Sequence, residues 1–224
     1  MKHAPLPFDA SKRYYAFLDP SGGRSDSFTL ALSHREAEKI IIDRVEEVRA
    51  PFDPSSVVKE FSTLMKQYKI YEASSDRYAG VWPPASFLKE GIIINTAELS
   101  ASDLYLEFQP LMAMGRVEMP LNEKLCLQFQ MLERRTRTGG KDSVDHPPGL
   151  HDDMANSVAG AAYLAAKQEF ITVDEKLRQF GPHRPGDKPE TPEVDTRSAE
   201  EIMHEFMSEG GKNARPIRTK NWWD

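Results

Sequence analysis

YYAFLDPSGGRSDSFTLALS, residues 14–33, sets the reading of everything around it. Tyr14–Asp19 is a short apolar run that ends on a carboxylate. PSGGRSD follows, and its glycine pair marks a tight turn. Ser27–Ser33 is apolar again and stops at the polar cluster HREAE. Lys39–Val48 (KIIIDRVEEV) is rich in β-branched residues. Three such runs joined by short turns read as an antiparallel meander.

Downstream, Val57, Val58, Phe61, Leu64 and Met65 recur at helical spacing between Pro54 and Lys69. Ile70–Ser75 reads as a strand ending at Asp76, and a helix near Pro84–Glu90 leads through Gly91 to the apolar strand Ile92–Asn95. Ser102–Met114 and Leu121–Leu132 read as helices. Asp152–Lys167 (DDMANSVAGAAYLAAK) reads as an Ala-rich helix with acids in its first turn. Strand–helix–strand connections imply parallel neighbours in this second half. The expected fold is therefore α/β: a mixed five-stranded sheet with helices on both faces. In this order the first and fourth strands are adjacent and parallel, and ligands gather at the carboxyl ends of such strands.

The chain has 224 residues, with 29 Lys+Arg against 35 Asp+Glu and a net charge of −6. That excludes a histone-like or ribosomal-type basic protein but leaves room for a local basic patch. No apolar run approaches the roughly 20 residues that span a bilayer, and the N-terminus lacks a signal-peptide core. Cys126 is the single cysteine and has no internal disulfide partner. The expectation is an intracellular, cytoplasmic protein without a membrane partner. No Walker A sequence occurs, so ATP hydrolysis is not expected.

Composition shifts near residue 170. Residues 181–197 (GPHRPGDKPETPEVDTR) hold four prolines and one aliphatic residue, Val194, which is a linker composition. Ser198 and Glu201 then form a capping-box pattern before the apolar stripe Ile202, Met203, Phe206 and Met207. Residues 171–224 thus read as a flexible Pro-rich tail carrying a short amphipathic helix.

Four features carry chemistry. Asp19 ends a strand, where an unpaired carboxylate is expensive to bury, although a turn or Asx cap before Pro20 also accounts for it. Asp76 ends another strand, and the same two readings apply. Asp152 and Asp153 open the last helix, as caps or as ligands; the small face of Ala155, Ala159, Ala162 and Ala166 lets that helix approach a sheet closely. Separated carboxylates with no His/Cys cluster suit a hard cation, Mg²⁺ or Mn²⁺, and two such ions support phosphodiester hydrolysis. The fourth feature is RRTRTGGK, a basic hairpin or solvated loop whose Arg134, Arg135, Arg137 and Lys141 are candidate contacts to DNA phosphates. His146 and His151 flank the acid pair; one of them is a candidate to orient water or phosphate, although exposed loop histidines are commoner.

LDPSGGRSDSFTLAL, SSDRYAGVWPPASFLKEGIIIN and HDDMANSVAGAAYLA resemble the three acidic motifs of the C-terminal nuclease domain of phage large terminase subunits. The likeness spans about residues 12–170. It implies an RNase H-like, resolvase-like nuclease domain at 1–170 that cuts double-stranded DNA during viral genome packaging. It implies Asp19, Asp76 and Asp153 as catalytic residues, and Asp152 alongside them as a fourth metal-ligand candidate. Many relatives carry a further acid where this chain has Asn156. The family's ATPase motor is not among these 224 residues, so the chain is read either as an excised domain or as a stand-alone nuclease whose motor is another polypeptide. That motor, and the portal through the C-terminal tail, are the expected partners. The alternatives are a junction resolvase or transposase-like nuclease on the same fold, and a non-catalytic packaging adaptor.

Overall fold

The computed structural model describes residues 4–77, 82–136 and 142–167. Arg137, Lys141, the linker at 181–197 and the helix expected after Ser198 lie outside the described residues.

Strand β1 (Tyr14–Asp19) pairs antiparallel with β2 (Phe28–Glu36), which pairs antiparallel with β3 (Lys39–Val48). Helix α1 (Pro54–Gln67) leads to β4 (Glu72–Ser75), α2 (Trp82–Lys89) to β5 (Ile93–Thr96), and α3 (Ala101–Ala113) to β6 (Val117–Glu118). Helix α4 (Glu123–Met131), the hairpin β7 (Glu133–Thr136) and β8 (Asp142–Asp145), and α5 (Asp153–Ala166) complete the described chain. The sheet order is β5-β4-β1-β2-β3-β6, with β4 parallel to β1 and β5 parallel to β4. The mixed sheet, its meander and the β1–β4 neighbourhood are as expected. The sheet has six strands rather than five, because β6 adds two residues parallel to the edge of β3. Two residues carry no periodicity, so nothing local announces that strand.

Period-two alternation in β1 feeds both faces. Ala16 and Leu18 pack with Phe28, Leu30, Val58, Phe61, Met65 and Phe87 under α1 and α2. Phe17 points the other way, into the layer formed with α3, α4 and α5. Local chemistry starts the helices cleanly. Asp53 caps α1 by accepting from the Ser55 and Ser56 amides, with Pro54 in the first turn. Ser100 caps α3 through the Asp103 amide.

Helix α5 is seated with particular closeness. Ala155, Ala159, Ala161, Ala162 and Ala165 are fully buried. Gly160 lies against Phe17 so tightly that an added Cβ would stand 2.3 Å from the ring. The Thr29 hydroxyl donates to the Asp153 carbonyl (2.7 Å), the Ser33 hydroxyl to the Ala161 carbonyl (2.8 Å), and the Ala155 amide to Gln128 (3.0 Å). Bonds of this kind contribute about 0.5–1.5 kcal/mol each, and here those from Thr29 and Ser33 fix the height of α5 over β2. That height decides where its first turn lies relative to the end of β1.

Candidate active site

Asp19 closes β1, and Asp76 follows β4 directly, its amide donating to the Leu18 carbonyl at 3.1 Å. The parallel β1–β4 pairing thus delivers both carboxylates to the same end of the sheet. Helix α5 arrives there by its N-terminus. Its Asn156 amide nitrogen donates to Asp19 Oδ2 at 3.0 Å and to Asp76 Oδ2 at 2.8 Å, so one side chain bridges the two acids.

Asp152 is the N-cap of α5 by position, yet its side chain makes no capping bond. It accepts instead from the Tyr105 hydroxyl at 2.7 Å, and His146 Nε2 stands 3.5 Å from its other oxygen. Asp153 takes a hydrogen bond from the Ser27 amide. Its Oδ2 is buried without a hydrogen-bond partner among the described residues, as is Asn156 Oδ1. Leaving such an atom unpaired costs about 1–3 kcal/mol. Unpaired oxygens inside a cluster of acids match the donor set of a hard divalent cation. The oxygen donors of Asp19, Asp76, Asp153 and Asn156 therefore have the chemistry that such an ion takes.

Electrostatics agree on proximity. Burial pushes the Asp19 carboxyl well above the usual range; the Asn156 bond opposes this, and the charges of Asp153, Asp76 and Asp152 add to it. Burial pushes Asp153 up to about 6, with His151 pulling back and Asp152 and Asp26 adding. Tyr105 is raised by burial first, then by Asp152, Asp19 and Asp76. His146 is raised by its bond to the Pro147 carbonyl, and further by Asp152, Asp145 and Asp153 against an opposing effect of burial. A cleft of about 370 Å³ runs alongside, walled in part by Asp103, Asp142, Asp145 and Asp152. The group of His and acid residues whose ligand-type atoms all lie within 4.8 Å of one another among the described residues is Asp145, His146 and Asp152.

Of the four acids read from the sequence, Asp19 and Asp76 share the Asn156 amide, while Asp152 and Asp153 open the same helix and act on Asp19 through their charges; His146 stands beside Asp152. His151 faces Asp26 instead, at 3.4 Å. Tyr105 was not foreseen: within the apolar helix face LYLEF it reads as core, and only the docking of α3 on α5 aims its hydroxyl. Arg134 and Arg135 lie on β7, opposite Val144 and Ser143 of β8 and next to the Glu133–Asp145 pair. Each is ion-paired, Arg134 with Asp142 and Arg135 with Glu133. Exposed pairs of this kind are worth about 0–1 kcal/mol, so they do not prevent exchange for a phosphate.

No family model matches this sequence, and no curated protein matches it. Solved structures do. The large terminase nuclease from thermophilic phage G20c aligns over 73% of this chain and 90% of its own, with a TM-score of 0.61 and 17% identity. The same nuclease with bound magnesium gives a TM-score of 0.59, 17% identity, and coverages of 73% and 89%. The HK97 bacteriophage large terminase aligns with a TM-score of 0.58 and 14% identity over 71% of this chain, which spans 41% of that protein. The chain has the RNase H-like fold of large terminase nuclease domains.

Proposed function

We propose that the chain is a metal-dependent endonuclease that cuts double-stranded DNA during phage genome packaging. The observation that carries this reading is the Asn156 bridge between Asp19 and Asp76, made by the helix that presents Asp152 and Asp153. The fold shared with terminase nucleases, one of them with bound magnesium, supports it.

Asp19, Asp76 and Asp153 would hold two Mg²⁺ or Mn²⁺ ions, with Asp152 as a further ligand. Ions in such a site lower the pKa of a bound water and stabilise the leaving oxygen of a phosphodiester. The chain's own residues set the stage. Burial on β1 and β4 fixes the two strand-end acids, Tyr105 orients Asp152 by donating to one oxygen, and the first turn of α5 points Asp153 inward. The acid-walled cleft repels bare phosphate, so DNA approaches only once the charge is neutralised. The test is nicking of plasmid DNA with Mg²⁺, with Mn²⁺ and with chelator. Cleavage only with a divalent ion supports the reading; no cleavage under any condition rejects it in favour of an adaptor. A strong preference for branched over linear DNA would point to junction resolution instead.

DNA is the substrate-side partner, and the hairpin is its proposed track. Replacing Arg134, Arg135, Arg137 and Lys141 with Ala should weaken binding to all sequences alike, because phosphate contacts carry no sequence information. Each lost contact should flatten the slope of log K against log[salt] by about 0.9. Titrations at several salt concentrations decide, and equal slopes for both proteins would place the track elsewhere.

The packaging motor and portal are proposed partners of residues 171–224, whose composition is that of a tether. Removing them should leave cleavage of naked DNA by residues 1–170 within about twofold, since linker-like termini tolerate truncation. Loss of cooperative melting in the shortened chain would move the proposed domain boundary.

A further inference from the structure

Asn156 does two things at once that do not sit together in a purely structural side chain. Its amide nitrogen spends both hydrogens on acids, one on Asp19 and one on Asp76. Its Oδ1 has no hydrogen-bond partner among the described residues although the residue is 4% exposed. The two ends of a carboxamide are nearly equal in shape and exchange places by rotation about one side-chain bond. Turned over, the same side chain puts a carbonyl oxygen where the amide nitrogen now bridges the two carboxylates.

Resting on the metal-nuclease reading above, we propose that Asn156 is a swivelling amide: a stand-in for the cation in the metal-free protein and a neutral oxygen ligand in the loaded one. Without metal, two N–H groups facing two carboxylates relieve their repulsion, as a cation would. A divalent ion held by these acids would repel the N–H groups and attract a carbonyl, so the amide would turn. Oxygen from carboxylates and amides is the donor type that Mg²⁺ and Mn²⁺ prefer. Helical spacing helps: Asn156 lies three residues after Asp153 and four after Asp152, on the same side of α5. Because the amide is neutral, the ion gains a ligand without a further negative charge accumulating in the metal-free site.

The experiment compares Mn²⁺ binding by calorimetry for DNA-free wild type, Asn156→Leu and Asn156→Asp, with thermal melts of each in chelator. The swivel predicts Mn²⁺ affinity about tenfold lower for Asn156→Leu. It predicts higher affinity for Asn156→Asp, with a lower melting temperature in chelator. A side chain that only clamps the acids predicts the reverse for Asn156→Leu: equal or tighter Mn²⁺ binding, because no bridge has to be displaced. That outcome overturns the proposal. Should a variant fail to fold, the wild type still decides by NMR. Diamagnetic Mg²⁺ should move the Asn156 side-chain amide protons upfield as they leave the carboxylates, and unchanged shifts at saturation overturn the swivel. If wild type binds no Mn²⁺ at any concentration, the metal reading falls with it. Wild-type binding combined with undiminished Asn156→Leu binding removes the swivel alone.

Discussion

Asp19→Asn should abolish cleavage, lowering the rate by about 10³-fold or more while leaving the fold intact. Asp19 stands at the end of β1, joined to Asp76 through Asn156, and feels the charges of Asp153, Asp76 and Asp152 together. Asparagine keeps the shape and removes the charge that would hold a divalent ion. A thousandfold loss corresponds to about 4 kcal/mol of transition-state stabilisation. Melting temperature in chelator should stay level or rise, because a buried, mutually repelling carboxylate has been removed. The stabilisation that Mn²⁺ gives the wild type should shrink in the variant. Nicking assays at matched protein concentration decide, and retained activity with Asn at position 19 would remove this residue from the site.

Gly160→Ala should destabilise the protein by about 2 kcal/mol even though alanine is the better helix former. The propensity gain is about 1 kcal/mol. The new methyl would stand 2.3 Å from the ring of Phe17, itself 1% exposed, and a clash this close lies at the upper end of overpacking costs, about 3 kcal/mol. For a body of this size the melting temperature should fall by roughly 4–8 °C. Cleavage should fall as well, because a helix lifted from β1 carries Asp153 and Asn156 away from Asp19. Adding Phe17→Leu should recover part of the loss, since the two sites are in contact and their effects are not additive. A melting temperature equal to or above wild type would show that α5 has room to move and that Gly160 does not set its height.

Much of the architecture is legible locally. Tyr14–Asp19 alternates between two buried faces, the glycine pair after it forces a turn, and the apolar runs that follow have strand length and β-branched content. Each of these signals lies within a few residues, where backbone preference and side-chain period act directly. Asp19 and Asp76 stand out for the same reason: each is a carboxylate at the end of a strand-like run. Asp152 and Asp153 are visible as acids at a helix start, but a helix start needs acids for its own sake, so position alone leaves their use open.

What lies across long separations was settled by packing. The two-residue β6 exists because β3 offers a free edge at Ile40 and Ile41. Tyr105 reaches Asp152 across 47 positions, and only the docking of α3 on α5 turns an apparent core tyrosine into a hydrogen-bond donor at the acids. Asn156 meets Asp19 and Asp76 across 137 and 80 positions, through a helix height set by Gly160 against Phe17 and by the Thr29 and Ser33 hydroxyls. The basic run looked uncompensated in sequence, but hairpin pairing sets Thr136 opposite Asp142, and Arg134 closes onto that acid across the strands. Local sequence restricts each segment to a few conformations. Which side chains then meet depends on how buried surfaces fit together, a property of pairs of elements that no single stretch contains.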